Sequence, residues 1–477
     1  MIRLKNGNNS LFKKIKLDSK LKTLGSNTVI FAIGNVMSKL ILFLLMPLYT
    51  SAMTPSEYGF AELMSNGIDL LMPLATLCLY EAVFRFSIDS KKNERILILS
   101  NSFRIIFWIN LAVTFITIVA SLATRSFYPI LFCIMLVTYS IRQIFAQFSR
   151  GMGDSKRFAI SGILNAFVLG ISNIILVGYF SYGINGYLIS IAFGNVFSAI
   201  YLYFVVGLNS YLKPQMKDKE LLKEMLYFSV PMIPNSISWW FANISTRYIL
   251  VMFEGIATAG IFTAISKLPS IINVLSSIFQ QAWQFSASKE ISNKDANSFF
   301  SKVFISYYSL IISSCSMIIT FIPFIARFLL QGDFFYAWSM IPLLLVSAVL
   351  NCFSVYFGSI YTASMNNKMI MISTIVGAIV SVVSSFLLIP VFGIIGAIIA
   401  NNLSYLTINI MRYFDTKRFI VLNIRPLEVI SLLCILYIQS GLYLFLDKVA
   451  FVAEIVLSLI VFILLIIFNL RKKIRRS

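Results

Sequence analysis

Three basic side chains sit where a membrane-crossing helix should have none. Lys39, Arg247 and Lys267 fall inside long apolar stretches, and Asp69 falls in another. A charge at membrane depth is costly unless it faces protein or a wet cavity. Lys39 lies about 14 residues into its stretch, Lys267 about 10 and Asp69 about nine. Arg247 lies about six residues from a helix end, close enough to snorkel. Glu62 and Glu254 are nearer the outer ends. The cations together suit a phosphorylated ligand, because Arg offers a planar bidentate fork and Lys a point charge. Plainer arrangements use the same residues. Lys39 can pair with Asp69, and Arg247 can snorkel or pair with Glu254. Asp69 reads equally as an ion-pair partner and as a proton or sodium site, and Glu62 is the second candidate for ion coupling.

Polar and aromatic residues accompany these charges. Asn35 and Asn66 add amides to the first two stretches. The seventh runs Ser229-Val-Pro231-Met-Ile-Pro234-Asn235-Ser236-Ile-Ser238-Trp239-Trp240. Pro231 and Pro234 break helix hydrogen bonds and permit a hinge. Asn235, Ser238 and Asn243 can meet freed carbonyls or sugar hydroxyls. Trp239 and Trp240 can stack on sugar faces or pack between helices. Gln280-Gln281-Ala-Trp283-Gln284 reads either as a polar aromatic lining or as an interfacial belt.

The elements that must hold these residues are membrane spans. The chain has 477 residues, 58% hydrophobic and 12% charged, with a mean hydropathy of +0.86. A spanning helix takes about 20 mostly apolar residues and satisfies its backbone internally. Fourteen such stretches are expected. They run over 25–48, 60–84, 100–121, 127–149, 159–180, 184–206, 228–253, 257–285, 301–325, 337–361, 369–390, 393–413, 427–446 and 449–470. They leave no room for a separate soluble domain. The first is too long for a signal-peptide core and reads as a retained helix after a basic arm. The five cysteines all fall in apolar stretches without a CxxC, and the chain has no His. His catalysis, His metal ligation and the usual pH switch are thereby removed. No cofactor is expected.

The charge pattern sets the orientation. Of 39 Lys and Arg, 33 fall in alternate connections and the two termini. Only Arg125, Arg327 and Lys448 fall on the opposite side. The positive-inside rule places both termini in the cytoplasm. A net charge of +20 distributed beside spans points to lipid headgroups, not to nucleic acid. The opposite connections are short, so no extracytoplasmic active site is housed there.

The chain also repeats. Gly183-Ile-Asn-Gly186 and Gly393-Ile-Ile-Gly396 open spans six and twelve, 210 residues apart. Tyr58-Gly59 and Ala259-Gly260 open spans two and eight, 201 apart. Asp154-Ser-Lys156 and Asn366-Asn-Lys368 precede spans five and eleven. An even number of helices per unit inserts both units the same way round. The fold class expected is an all-α polytopic membrane protein with two pseudo-symmetric six-helix lobes and two extra C-terminal helices. The divisions are a basic arm 1–24, an N-lobe 25–206, a linker 207–227, a C-lobe 228–413, a helical pair 414–470 and a basic tail 471–477. Two facing lobes with charged walls fit alternating access.

Several segments resemble the Wzx-type polysaccharide repeat-unit flippases of the MOP (multidrug/oligosaccharidyl-lipid/polysaccharide) exporter superfamily. The resemblance is carried by Ile33-Gly34-Asn35, Pro47-Leu-Tyr-Thr50 and Pro55-Ser-Glu-Tyr58-Gly59. It continues through Phe228 to Trp240, Thr246 to Leu250, Ala259-Gly260-Ile-Phe, Lys267 to Ile272, and Gln281-Ala-Trp283-Gln284 with Lys289-Glu290. One position departs, since Thr246 stands where the family usually has Asp. The resemblance implies transport of undecaprenyl-pyrophosphate-linked oligosaccharide, an O-antigen or capsule repeat unit, across the bacterial inner membrane. It also implies coupling to an H+ or Na+ gradient and a non-enzymatic role, and contact with a polysaccharide polymerase and a chain-length regulator is a further expectation. Lys39, Arg247, Lys267, Asn35, Asn66, Asn235 and Trp239 are the expected substrate contacts.

Other readings differ in their site chemistry. A lipid II-type flippase shares the cationic cavity. A MATE-type drug/cation antiporter needs carboxylates instead. A membrane polymerase needs a sizeable outer loop.

Overall fold

The computed structural model describes residues 37, 39–88, 90–213, 216–291, 293–364, 368–445 and 450–474. The regular elements among them are helical. In the first lobe they are α1 (Lys39–Ala52), α2 (Pro55–Thr76), α3 (Leu79–Ser87), α4 (Lys92–Thr124), α5 (Tyr128–Gly151), α6 (Ser155–Asn173) and α7 (Gly183–Val206). A short helix α8 (Lys219–Ser229) leads into α9 (Met232–Ile265) and α10 (Ser270–Glu290). Then come α11 (Ala296–Leu329), α12 (Ile341–Ala363), α13 (Lys368–Thr416), α14 (Pro426–Phe445) and α15 (Ala450–Ile474). Among the described residues, ten helices are long and apolar enough to cross a membrane, or eleven if the bent pair α2–α3 is one span.

Several expected spans are divided or fused, each for a local reason. Span two bends by 63° where Leu77 and Cys78 adopt left-handed backbone, just past Pro73. Spans seven and eight run together in α9 and turn at Gly255, whose φ of 86° an L side chain rarely adopts. Spans eleven and twelve run together in α13 and turn at Gly393. The expected hinge in span seven falls at Val230–Pro231, between α8 and α9. Pro234 lies in the first turn of α9, where its missing N–H has no intrahelical acceptor to lose. Asn35 and the basic arm lie outside the described residues, as do the side chains of Trp239, Asn243, Gln281 and Gln284.

The repeat read from the sequence has a structural counterpart. Gly183 and Gly393 both take positive φ, 49° and 55°. Three residues on, Gly186 and Gly396 let their helices press against the preceding span, at Leu176–Val177 and at Leu388–Ile389. Gly59 and Gly260, matched positions of the two units, meet each other. A Cβ on Gly59 would stand 2.9 Å from the Gly260 Cα, and a Cβ on Gly260 would collide with the Pro55 carbonyl. Equivalent positions contact one another where a twofold axis passes. The α2–α9 crossing therefore lies on the pseudo-twofold axis.

The apolar packing is uneven along that axis. One buried cluster joins both lobes and includes Tyr58, Ala61, Ile261, Phe262 and Phe334. A second holds the opposite end of the N-lobe by itself, around Leu79, Ile98, Ile144 and Leu202, with Met225 of α8. The lobes are thus fused at the end where α2 begins. Elsewhere α2 follows α9, and α3 packs on α8. The C-terminal pair α14–α15 packs on α11, with α14 also against α12.

The glycine crossing predicts a specific sensitivity. Gly260→Ala should lower the melting temperature of the purified protein by an amount equivalent to about 1–3 kcal/mol, as overpacking does. Gly441→Ala, where a Cβ meets nothing within 4 Å, serves as the control and should not destabilise. Equal melting temperatures for wild type and Gly260→Ala would show that the crossing has slack.

Candidate functional site

The residues that gather at the lobe interface come from α2, α7, α9 and the start of span eight. Thr54 opens α2 with a capping box: its hydroxyl accepts from the Glu57 N–H, and the Glu57 carboxylate accepts from the Thr54 N–H. Helical spacing then sets Tyr58, Glu62, Asn66 and Asp69 along the same side of the helix.

Glu62 is buried and carries the tightest set of contacts. Its Oε1 accepts from the Tyr187 hydroxyl at 2.8 Å and from Tyr58 at 3.2 Å. The Lys267 Nζ lies 2.9 Å from the same oxygen, and the Glu62 and Lys267 side chains are 6% and 37% exposed. Tyr49 stacks on this group, 5.1 Å from the Tyr187 ring and 5.8 Å from the Tyr58 ring. Tyr58 also meets Phe334 across the interface. A carboxylate in so dry a setting needs a paired cation and hydrogen bonds, and Glu62 has both.

Lys267 reaches Glu62 because span eight is interrupted. Residues 266–269 form turns between α9 and α10, with Lys267, Leu268 and Ser270 bonded to the third residue back. Pro269 cannot continue the α-helical ladder and ends the interruption.

Arg247 lies one layer deeper. It is half-buried and its Nη1 donates to Asn66 Oδ1 at 3.2 Å. The Asn66 carbonyl accepts from Trp240 Nε1 at 2.8 Å, and Tyr248 donates to the Leu63 carbonyl at 2.9 Å. These bonds tie α2 to α9, one lobe to the other. On the C-lobe side Arg247 lines a cavity of 130 Å³ with Thr246, Asn273, Asn351, Asn401 and Tyr405. No carboxylate of the described residues lines it. Thr246 is buried, its hydroxyl 3.4 Å from Ser385 and 3.5 Å from Ser381. Position 246 therefore faces the hydroxyls of α13, and Arg247 takes an amide where a carboxylate partner was in question.

Asp69 is exposed, within electrostatic reach of Glu62, Arg247 and Lys267. Pro73 has no N–H to return to the Asp69 carbonyl, which adds negative potential at this turn. No ion pair joins Asp69 to Lys39, or Arg247 to Glu254, among the described residues. Lys39 is exposed on α1. Asn235, Pro231 and Pro234 lie apart from the Glu62 cluster. They line a larger, mainly apolar groove of 950 Å³ between α9 and α13, with Ser238, Met371 and Ile379.

The structure thus brings together Glu62, Asn66, Arg247 and Lys267, with Asp69 nearby. The sequence pattern pointed to these charges but missed Tyr58, Tyr187 and the polar C-lobe lining. A tyrosine four residues before a membrane carboxylate was the available signal for Tyr58.

A model of the family described as "Polysaccharide biosynthesis protein" matches residues 24–284. The chain belongs to the polysaccharide biosynthesis protein family. The matched part of this family member begins ahead of α1, ends at Gln284 and includes Glu62, Arg247 and Lys267. Among solved structures, the chain is similar to the lipid II flippase MurJ in an inward closed conformation. That match has a TM-score of 0.69 at 14% identity and covers 94% of this chain and 100% of the other. It is also similar to an inward-facing multidrug resistance MATE family transporter of the MOP superfamily, with TM-score 0.61 at 15% identity. There 80% of this chain and 94% of the other are covered. A MOP superfamily transporter from Pyrococcus furiosus, whose binding pocket has reversed polarity, matches at TM-score 0.53 and 13% identity over 82% and 96%. No curated protein matches. The expected relationship to polysaccharide biosynthesis proteins and the expected all-helical, multi-span fold are borne out.

Glu62→Gln keeps an acceptor for the tyrosines and leaves Lys267 without its counter-charge. A double-mutant cycle with Lys267→Met should give a coupling of about 0.5–3 kcal/mol in thermal unfolding. Strict additivity would mean that the pair does not join the lobes.

Proposed function

We propose that this multi-pass MOP-type transporter flips an undecaprenyl-pyrophosphate-linked oligosaccharide from the cytoplasmic to the outer leaflet of the bacterial inner membrane. The observation that carries the reading is Arg247, half-buried between the lobes and facing a polar cavity that no carboxylate of the described residues lines. Such a lining accepts an anion or sugar hydroxyls and repels no phosphate. It does not suit a cationic drug, which calls for carboxylates.

With the positive-inside orientation, the fused end of the lobes is the outer end. The state described is then closed to the outside, and the Glu62–Lys267 pair is part of the closure. Opening outward separates α2 from span eight and frees the Lys267 ammonium as Glu62 gains water. Arg247 and Lys267 would meet the pyrophosphate in succession, and Asn66 and the C-lobe amides would meet sugar hydroxyls. Lys39 would extend the cationic wall on α1. The prenyl chain stays in the bilayer, because moving it through a polar cleft would desolvate polar groups without compensation. Asp69 is the proposed coupling acid, since it is exposed and has no paired base among the described residues.

The test is complementation of a flippase-null strain. Arg247→Ala and Lys267→Ala, at normal membrane levels, should each lower surface polysaccharide about tenfold or more, in line with loss of a charge-assisted contact. Arg247→Lys should restore part of it. Full surface polysaccharide with both alanine variants would remove the anion site. Asp69→Asn should abolish the gradient dependence of transport in vesicles, and an unchanged dependence would remove Asp69 as the coupling acid. Accumulation of lipid II in place of lipid-linked oligosaccharide on depletion would favour the lipid II reading.

A further inference from the structure

A second carboxylate lies inside the helical bundle, far along the chain from the cleft residues. Glu454 of α15 is 0% exposed. Its Oε2 accepts from Gln439 Nε2 of α14 at 2.9 Å, and its Oε1 has no partner. Gln439, also 0% exposed, accepts from the Ser316 hydroxyl of α11 at 2.9 Å. Ser458 completes the cluster, 2.9 Å from the Ser316 hydroxyl and 2.6 Å from Thr320. Three helices thus share one dry polar cluster, and α14–α15 is latched to α11 through it.

Among the described residues no cation pairs with Glu454. Tyr443 on α14 lies within electrostatic reach of it, and its hydroxyl donates to the Thr320 carbonyl. Ser316 and Thr320 are what α11 presents here, and its Arg327 is exposed farther along. Asp333 of the segment packed on α14 lines an outer surface hollow instead. Asp447 and Lys448 lie outside the described residues. An unpaired charge at membrane depth costs more than an unpaired hydroxyl. The Gln439 amide turns its NH2 toward the carboxyl, a donor placed where a metal cation would be repelled.

We infer that Glu454 is a proton-binding site distinct from the cargo cleft, and that its proton holds the C-terminal hairpin against α11. Loss of the proton leaves a bare carboxylate in the cluster, and hydrating it requires α14–α15 to move away from α11. The linkage has a definite sign: proton binding favours the packed hairpin, so raising the pH loosens it. The site does not depend on the cargo proposed above.

The experiment uses purified full-length protein in lipid nanodiscs. Infrared difference spectra between wild type and Glu454→Gln at neutral pH should contain the C=O stretch of a protonated carboxyl, lost on alkaline titration. Hydrogen exchange in α14–α15, corrected for intrinsic rates, should rise at least tenfold over the same titration in wild type and stay flat in Glu454→Gln. Glu454→Asp, a second acid, should restore the titration if Glu454→Gln fails to fold. An ionised carboxylate at neutral pH overturns the inference. So does a carboxyl band that vanishes on adding sodium at constant pH, or hairpin exchange that is the same in wild type and Glu454→Gln.

Discussion

A carboxylate enclosed between two lobes of a membrane protein needs a cation, and Glu62 has Lys267 from the opposite lobe. Three donors converge on one oxygen of Glu62, two of them tyrosines of its own lobe. The N-lobe thereby holds the acid in place, and the C-lobe supplies the balancing charge. The pairing makes sense only while the lobes are closed at this end. Around it lie the Gly59–Gly260 approach and the ring contact of Tyr58 with Phe334. Backbone proximity, aromatic packing and charge balance all favour the same closed arrangement.

That constraint divides the intramembrane charges into two roles. Lys267 is engaged by a carboxylate and changes its partner only if the interface opens. Arg247 is held by the neutral amide of Asn66 and faces a polar hollow lined by no acid of the described residues. Its positive charge is less fully compensated in the closed state than that of Lys267. An anion near Arg247 would not first have to displace a carboxylate of the described residues. The structural likeness to MurJ and to MATE transporters is one of fold.

Much of the fold was legible because the signals are local. Apolar length, flanking Lys and Arg, and glycines at matched spacings each act within a single helix or connection. The divided spans were less legible. Leu77 and Cys78 carry no mark of their left-handed backbone, and the prolines of span seven fall at a helix start because α8 ends just before them. Glu454 was passed over for a related reason. It lies one turn into a span that hydropathy reads as uniform, and only packing against Gln439 and Ser458 reveals how deeply it is enclosed.

The sequence by itself determined that this chain crosses the membrane many times, that its halves are related, and which few charges the bilayer must accommodate. Hydropathy and charge act residue by residue, so they survive in one dimension. Tertiary structure alone decided which of those charges meet. Lys267 and Glu62 are separated by 205 positions, and nothing in either span names the other. Their pairing follows from a glycine crossing on the pseudo-twofold axis, which brings the two helices close enough for an ammonium to reach a buried oxygen.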